Sequence, residues 1–557
     1  MDANLEQQTR AKDPLEPDLP RSFERLWTGA CLALAAWLCL RGLAGVFLIG
    51  DELHSLRNID LGFVALARTY DRFGSGLALP MLQRLASGLF GHELIAYRLP
   101  AIAGALATLL FVGPLARRLF GAPSALLASA AVATSAIHVY YSRYGRGYAL
   151  GAFLALLFVL SLLRTLEHAP ARRRWLAGIV LAGGFLPAVH LSTGPFLLAA
   201  GAAALWNARR DACLLALGYA LAAGALLALL LHVSARASLR EFLDLKLMEG
   251  APTPFGPLDV ATALAGSRVA GWVVLVGLPL AGLAFLRRQR ARAALVLAGP
   301  LGLIASLLLT RPPGLALAYA RYLFVAWPMC LMLLAWGWVE LARRLPLARR
   351  AGSLVALAAG LALLAGAWLA GPLGRAHVPD GRFANSNLAL HALPAFDADW
   401  KRSSNFYAVL AEMEDPQRIA EFPGLRTRNL MLYRNHWLQH RKDVVLGHLR
   451  DPELAPITHG PYADLSDLGV LEDKGIDFVV VHHNIDAELA NYWTFVQDEA
   501  WPALRRAGDD AAMAALSDYG IPRGNGRDVP ELERALRKRL GRPAYADATV
   551  RVWEVAR

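Results

Sequence analysis

Long apolar runs recur along the chain from about Trp27 to Leu369, and they constrain its fold more than any other feature. A helix of about 20 apolar residues crosses the roughly 30 Å of hydrocarbon in a bilayer. A segment in lipid must satisfy its own backbone hydrogen bonds, and an α-helix does so. The chain is 56% hydrophobic and only 18% charged, whereas soluble domains carry more charge. The sequence therefore predicts a polytopic α-helical membrane protein.

Hydropathy divides these runs into roughly eleven transmembrane helices. The two runs between Trp175 and Trp206 are short, and the exact number of spans there stays open. The predicted spans are residues 27–49, 97–116, 122–139, 148–166, 175–190, 194–206, 212–232, 262–286, 293–310, 319–341 and 352–371.

Arginine clusters orient the spans, because the positive-inside rule places basic loops in the cytoplasm. The clusters fall in alternate loops if the stretch from Trp175 to Trp206 holds two spans, so the charge pattern favours two. An odd count places the N-terminus in the cytoplasm and the C-terminal part outside. The net charge of +12 then needs no nucleic-acid partner. The clusters are Arg117–Arg118, Arg172–Arg174, Arg209–Arg210, Arg287–Arg292 and Arg343–Arg350.

Composition divides the chain into three parts. Residues 1–25 are polar and are typical of a disordered cytoplasmic tail. Residues 26–372 hold the transmembrane domain, whose external loop at 50–95 contains two segments with the spacing of interfacial amphipathic helices, Leu61–Phe73 and Leu77–Phe90. Residues 373–557 have ordinary polarity and predict an α/β domain on the external side.

Local patterns in the third part predict several elements. Apolar runs bounded by turn residues predict strands, and a run with helical spacing predicts a helix. The predicted strands are Asp443–Leu446, Asp477–Val481 and Thr549–Val555, and the predicted helices are Pro530–Leu540 and the stretch before Gly475.

Two adjacent carboxylates, Asp51 and Glu52, follow the first apolar run with only Gly50 between. Carboxylates at a membrane boundary are costly to desolvate and contribute little to packing, so they indicate chemistry there. The alternative is that they only cap a helix or end a span.

Cations gather on the same predicted side. Arg143 and Arg146 lie three residues apart among tyrosines, and Arg321 precedes Tyr322 after an external loop. Two arginines on one helical face can hold an anionic headgroup bidentately. Arginines at a span end also serve simply as interfacial anchors, and this alternative remains open.

The ordered set of these motifs resembles the GT-C glycosyltransferases, and within them the protein O-mannosyltransferase and lipid A aminoarabinose transferase superfamily. The set is Gly50-Asp51-Glu52, Phe90-Gly91-His92-Glu93 leading to Tyr97-Arg98-Leu99-Pro100, Ser142-Arg143 to Tyr148, and Arg321-Tyr322 before Trp327-Pro328. The resemblance implies a GT-C fold and transfer of a sugar from a polyprenyl-phosphate donor at the outer membrane face. It also implies that Asp51 acts on the acceptor. Relatives carry a His-Pro-Pro-like stretch in the first loop, where this chain has Leu79-Pro80-Met81.

The chemistry of such a transfer agrees with these residues. A base must take the acceptor proton, and cations must hold the phosphate as its charge grows. Phosphate leaves without protonation, so one carboxylate suffices and displacement inverts the sugar carbon. We assign Asp51 as the base, and Arg143, Arg146 and Arg321 as candidate phosphate ligands. Three roles remain open for Glu52: it assists Asp51, orients it through a nearby arginine, or is structural.

Further residues near the same predicted face complete a pocket: His54, Arg57, Tyr148, His190 and Tyr322. Carboxylates with histidines could hold a divalent ion, but the spacing matches no ligand motif, so we expect neither a metal nor another cofactor. The expected partners are the bilayer, the lipid-linked sugar donor, and a glycan, lipid or protein acceptor.

Two other classes of protein remain possible from the sequence. A transporter or flippase of a lipid-linked sugar would place ionisable or broken-helix positions near the midplane of the bilayer. An inactive scaffold would keep the fold without the chemistry. The abundance of Ala, Leu and Arg indicates a bacterial origin, which would make the membrane the inner membrane and the external space a periplasm.

Overall fold

The chain divides into two compact units in the computed structural model. The first comprises Met1–Arg41, Ser55–Ala86 and Tyr97–Val378, and the second comprises Gly42–His54, Ser87–Ala96 and Pro379–Arg557. The structure describes residues 20–40, 43, 52, 62–68, 76, 78–91, 95–167, 172–207, 224, 256–310, 316–344, 352–370, 373, 404–414, 417–422, 440, 442–444, 471–472, 475–483 and 529–555.

Helices account for nearly all of the described residues up to 370. They are α1 (Arg21–Leu40), α2 (Phe63–Arg68), α3 (Ala78–Phe90), α4 (Leu99–Phe120), α5 (Ala122–Ala133), α6 (Ala136–Arg143), α7 (Tyr148–Leu166), α8 (Arg172–Val189), α9 (Gly194–Asn207), α10 (Pro257–Ala265), α11 (Arg268–Arg288), α12 (Arg290–Thr310), α13 (Ala316–Leu323), α14 (Trp327–Arg344) and α15 (Gly352–Ala370). Two 3₁₀ turns, Leu191–Thr193 and Phe324–Ala326, separate α8 from α9 and α13 from α14.

Six helical segments among the described residues are long and apolar enough to cross a membrane. A seventh is added if α5 and α6, which are bent by 51° at their junction, form one span. The stretch from Trp175 to Trp206 forms two helices, α8 and α9, whereas the predicted span 212–232 lies outside the described residues apart from Gly224. The chain is therefore a multi-pass membrane protein, and the count of roughly eleven spans stays a prediction.

Small residues let the helices of the first unit approach closely. A Cβ atom on Gly104 of α4 would lie 2.7 Å from the backbone of Leu150 in α7. Such close approach lets the two helices pack without a large side chain between them. Larger rings fill the space elsewhere, since Phe120 lies 4.8 Å from Phe285 and 5.6 Å from Trp336, centroid to centroid. These contacts join α4, α11 and α14 into one core.

Ion pairs join helix ends on the side predicted to be cytoplasmic. Glu167 pairs with Arg118 and with Arg292, and Glu340 pairs with Arg288 at 2.7 Å and with Arg343 at 3.5 Å. Each carboxylate therefore connects two arginines of the basic loops.

The second unit contains a five-stranded sheet in the order β2-β1-β3-β5-β4. Strands β2, β1 and β3 are parallel, and β5 runs antiparallel to both β3 and β4. The elements are α16 (Phe406–Glu412), β1 (Arg418–Phe422), β2 (Asp443–Val444), β3 (Phe478–His482), α17 (Val529–Leu540), β4 (Tyr545–Ala546) and β5 (Val550–Glu554). The predicted strands Asp477–Val481 and Thr549–Val555 and the predicted helix at 530–540 are confirmed to within one residue at each end. The predicted strand Asp443–Leu446 is confirmed at Asp443–Val444, and its last two residues lie outside the described residues.

A polar group lies inside this sheet core. The hydroxyl of Tyr407 donates to Glu421 Oε1 at 2.6 Å and lies 2.9 Å from His482 Nε2. Tyr407 and His482 are fully buried and Glu421 is nearly so. Buried polar groups are stable only when they are hydrogen-bonded, so this group constrains how α16 packs on the sheet.

Candidate active site

Arg143 ends helix α6, and its side chain contacts the end of α1. The Nη1 atom donates to the carbonyl oxygen of Leu38 at 2.9 Å and to that of Cys39 at 3.3 Å. The last carbonyls of a helix have no partner within the helix, and a guanidinium is a suitable donor for them. The predicted phosphate ligand therefore also caps α1, and it is only 6% exposed.

The turn after Arg143 buries a second arginine, Arg146, which is 2% exposed. Gln83 of α3 supports this turn, because its Nε2 atom donates to the carbonyl of Gly145 at 3.2 Å and to that of Tyr97 at 2.8 Å. One amide thus brings the backbone beside Arg146 close to the backbone beside Arg98, which is 1% exposed.

The arginines that are buried in the described part of the chain are Arg98, Arg143 and Arg146. Removing a cation from water costs several kcal/mol unless partners compensate. All three guanidinium groups make further interactions in the structure, which offset this cost. Guanidinium donors also match the geometry of a phosphate oxygen.

A continuous series of ring contacts leads from α6 to α13. Tyr141 lies 5.0 Å from Tyr148, and Tyr148 lies 5.5 Å from His190, centroid to centroid. His190 in turn lies 5.9 Å from Tyr322. The guanidinium carbon of Arg321 lies 5.0 Å from the centre of the Tyr322 ring, and its Nη2 donates to the Tyr322 hydroxyl at 3.1 Å. The structure thus brings together Tyr148, His190, Arg321 and Tyr322, all predicted from the sequence.

His190 occupies the break between α8 and α9. Its Nδ1 accepts a hydrogen bond from the backbone N–H of Ser192 at 3.2 Å. The Ser192 hydroxyl lies 2.8 Å from the same nitrogen. The His190 ring is therefore held by contacts within the break itself.

A glycine allows the turn to pack against this break. A Cβ atom on Gly147 would lie 2.6 Å from Val189 Cγ1, closer than real side chains come. The backbone N–H of Gly76 donates to the carbonyl of Val189 at 2.9 Å. The segment at Val189 and His190 is therefore held from two directions.

Of the predicted carboxylates and loop residues, the structure describes only Glu52. Asp51, His54 and Arg57 lie outside the described residues. Glu52 is 1% exposed and belongs to the second compact unit, whereas the arginines belong to the first. Among the described residues, no three histidine, cysteine, aspartate or glutamate side chains are grouped so that they could hold a metal.

Sequence reasoning missed Gln83. A signal was present, because this uncharged polar residue shares the buried face of α3 with Leu79 and Ala86. An amide among apolar neighbours on one helical face indicates a buried hydrogen-bonding role.

Part of the chain matches a known family model. Residues 75–235, which contain Gln83, Arg98, Arg143, Arg146 and His190, match the family model described as dolichyl-phosphate-mannose-protein mannosyltransferase. None of the curated proteins compared with the chain matches it significantly.

Two solved structures share the fold. The crystal structure of ArnT from Cupriavidus metallidurans in the apo state has a TM-score of 0.53 at 15% identity, covering 84% of this chain and 95% of that one. The structure of the same protein bound to undecaprenyl phosphate has a TM-score of 0.53 at 14% identity, covering 85% and 95%. These matches confirm the resemblance predicted from the sequence and show the GT-C fold.

Proposed function

We propose that this chain is a membrane glycosyltransferase that moves a sugar from a polyprenyl-phosphate donor to an acceptor at the periplasmic face. The observation that carries the proposal is the cluster of buried arginines, Arg98, Arg143 and Arg146. The family model that matches this region describes a transferase with a lipid-phosphate sugar donor. ArnT, which shares the fold, was solved with undecaprenyl phosphate bound.

The arginines would hold the phosphate of the donor. Charge grows on this phosphate as its bond to the sugar breaks, and preorganised cations stabilise that charge. A guanidinium has five N–H donors, and both carbonyl contacts of Arg143 are made by Nη1 alone. Capping α1 is therefore compatible with binding a phosphate oxygen. Arg321, held over the Tyr322 ring, would supply a further cation from α13.

Asp51 would act as the base. An acceptor group attacks the anomeric carbon, the bond between that carbon and the phosphate oxygen breaks, and the acceptor proton passes to the Asp51 carboxylate. The electron pair leaves with the phosphate, and a single displacement inverts the sugar carbon. Glu52 would orient Asp51 or tune its basicity. The transferred group is a hexosyl or pentosyl unit, and neither a metal nor another cofactor takes part.

The pocket residues would recognise the sugar. Rings of Tyr148 and Tyr322 offer flat apolar faces for stacking, and the His190 ring lies between them. His54 and Arg57 would contribute from the external loop. In the proposed topology the N-terminus is cytoplasmic in a bacterial inner membrane, and residues 373–557 form a periplasmic domain.

The test is transfer of labelled sugar in isolated membranes supplied with a panel of polyprenyl-phosphate sugars. We expect the wild type to use at least one donor. Arg146→Gln should weaken donor binding by roughly tenfold or more, because a hydrogen bond to a charged group is lost. The matched control is Arg292→Gln, which breaks the pair with Glu167 and should change donor binding by less than about twofold.

One structural observation favours a second candidate, a flippase of the same lipid. One candidate span is bent, at the junction of α5 with α6, and another contains a 3₁₀ turn before α14. Broken helices are frequent in transporters. Movement of the lipid-linked sugar across vesicle membranes without transfer of its sugar would support this candidate and contradict the transferase.

A further inference from the structure

Two membrane segments of the first unit are interrupted, and the interruptions have different causes. Between α13 and α14, Pro328 has no N–H and cannot donate to the carbonyl of Phe324 four residues earlier. The N–H of Trp327, three residues after Phe324, donates to that carbonyl instead and forms the 3₁₀ turn Phe324–Ala326. Between α5 and α6, the chain bends by 51° at Thr134 and Ser135. No proline lies here, but the Thr134 hydroxyl donates to the carbonyl of Ala130 at 2.8 Å, and such a bond to the preceding turn often bends a helix.

A hydrogen bond joins the two interruptions directly. Trp327 Nε1 donates to Ser135 Oγ at 2.9 Å, and the Trp327 side chain is only 2% exposed. Ser135 is the N-cap residue of α6, but its hydroxyl caps no backbone N–H of that helix. A serine at this position normally accepts from the second or third residue of its helix. Its hydroxyl is used here for Trp327 instead.

Ring contacts extend the same interface. Phe324 of the 3₁₀ turn lies 5.7 Å from His138 and 5.0 Å from Tyr141, centroid to centroid. Ser135, His138 and Tyr141 are spaced by three residues, so they lie near one face of α6. That face packs against the segment between Phe324 and Trp327.

The two segments that meet here carry candidate phosphate ligands. Helix α6 ends at Arg143, and α13 holds Arg321 just before the turn. We propose that the Ser135–Trp327 hydrogen bond is a positioning contact that fixes α6 against α13, and so fixes the separation of Arg143 and Arg321. The expected effect on donor binding rests on the proposed function. The coupling, by which the Ser135–Trp327 bond holds α6 against α13, rests on the geometry alone.

The coupling is tested first by amide hydrogen exchange on the full-length protein in detergent. Trp327→Phe keeps a large ring but removes the N–H donor, and Ser135→Ala removes the acceptor. We expect each variant to lose protection in both segments, 136–147 and 316–326. Trp338→Phe is the matched control. Trp338 lies on α14, as Trp327 does, and its Nε1 donates a similar bond to the carbonyl of Ala356 in α15. The control should leave both segments protected.

The consequence is tested by donor concentration dependence in the transfer assay. Trp327→Phe and Ser135→Ala should each raise the KM for the donor by roughly fivefold to tenfold, the worth of about one hydrogen bond. The double variant should raise it no further, because both changes remove the same bond. Ser135→Thr keeps the hydroxyl and should restore the wild-type KM. We expect kcat to change much less than KM.

The outcomes separate the two proposals. Unchanged protection in both segments would overturn the inference whatever the activity. Coupled loss of protection with an unchanged KM, or with additive effects in the double variant, would also overturn it. Coupled loss of protection in a protein that transfers no sugar from any donor would support the coupling and overturn the proposed function.

Discussion

The Nη1 atom of Arg143 lies 2.9 Å from the carbonyl oxygen of Leu38, so the end of α6 is tied to the end of α1. In sequence, α1 leads into the loop that carries Asp51. In the proposed function, the same guanidinium would also donate to the donor phosphate, so Arg143 would have both a structural and a binding role. These roles can be separated by experiment.

The first prediction concerns Arg143→Lys. An ammonium keeps the charge but lacks the planar fork of donors, so it cannot cap α1 and hold a phosphate in the same way. We expect a lower unfolding temperature and a donor KM raised by roughly tenfold, because a hydrogen bond to a charged group contributes about 1.5 kcal/mol or more.

Thermal unfolding in detergent and donor titration measure the two effects of Arg143→Lys. Arg117→Lys is the control, since Arg117 forms an exposed pair with Glu24 and such pairs contribute little. A wild-type KM in Arg143→Lys would remove Arg143 from donor binding.

A second prediction concerns Gln83→Leu, a change of similar shape that removes the amide. The carbonyls of Tyr97 and Gly145 would lose a shared donor. An unsatisfied buried polar group costs about 1 to 3 kcal/mol. We expect lower thermal stability and weaker donor binding together, because the turn beside Arg146 loses its support.

The control for Gln83→Leu is Gln289→Leu, at an exposed glutamine between α11 and α12. It should change stability by about 0.5 kcal/mol or less. Loss of stability in Gln83→Leu with normal donor binding would show that Gln83 has a structural role only.

A third prediction concerns Asp547 in the second unit. Burial alone would raise the pKa of Asp547, but hydrogen bonds from Ser404 Oγ, from the backbone N–H groups of Val550 and Thr549, and from the Thr549 hydroxyl lower it to about 2. The folded pKa lies below the ordinary value of 3.8. The stabilisation is therefore complete above about pH 4 and is lost as the pH falls through the folded pKa.

Amide exchange of Thr549 and Val550, corrected for intrinsic rates, measures this effect. Wild-type protection should fall as the pH decreases from about 4 towards 2. Asp547→Asn should be less protected at neutral pH and should lose little more on acidification. Parallel pH profiles in the two proteins would show that Asp547 does not stabilise this turn.

Sequence patterns predict much of this architecture, for identifiable physical reasons. Apolar length predicts the spans, and β-branched runs predict β3 and β5. Strand β1 was missed because Arg418–Phe422 is short and carries Glu421, whose burial depends on Tyr407 from a separate helix. A glutamate in a sequence normally indicates exposure.

The site residues also fall into those that the sequence predicts and those that only the folded structure reveals. Arg143, Arg146 and Tyr148 come from one short motif and His190 from its position near a predicted span end. Ring contacts connect the motif to His190 through Tyr148. The hydrogen bond between Ser135 and Trp327 could not be predicted, because the two residues are distant in sequence. Gln83 acts on two carbonyls that only the folded chain brings together.

The most direct test of the central claim is sugar transfer by Asp51→Asn at matched expression, with donor binding measured on the same membranes. Asp259→Asn is the control, because that carboxylate caps α10 by accepting from the N–H of Gly256. We predict that Asp51→Asn binds the donor normally but loses transfer, while the control keeps both. Transfer at the wild-type rate in Asp51→Asn would contradict the account.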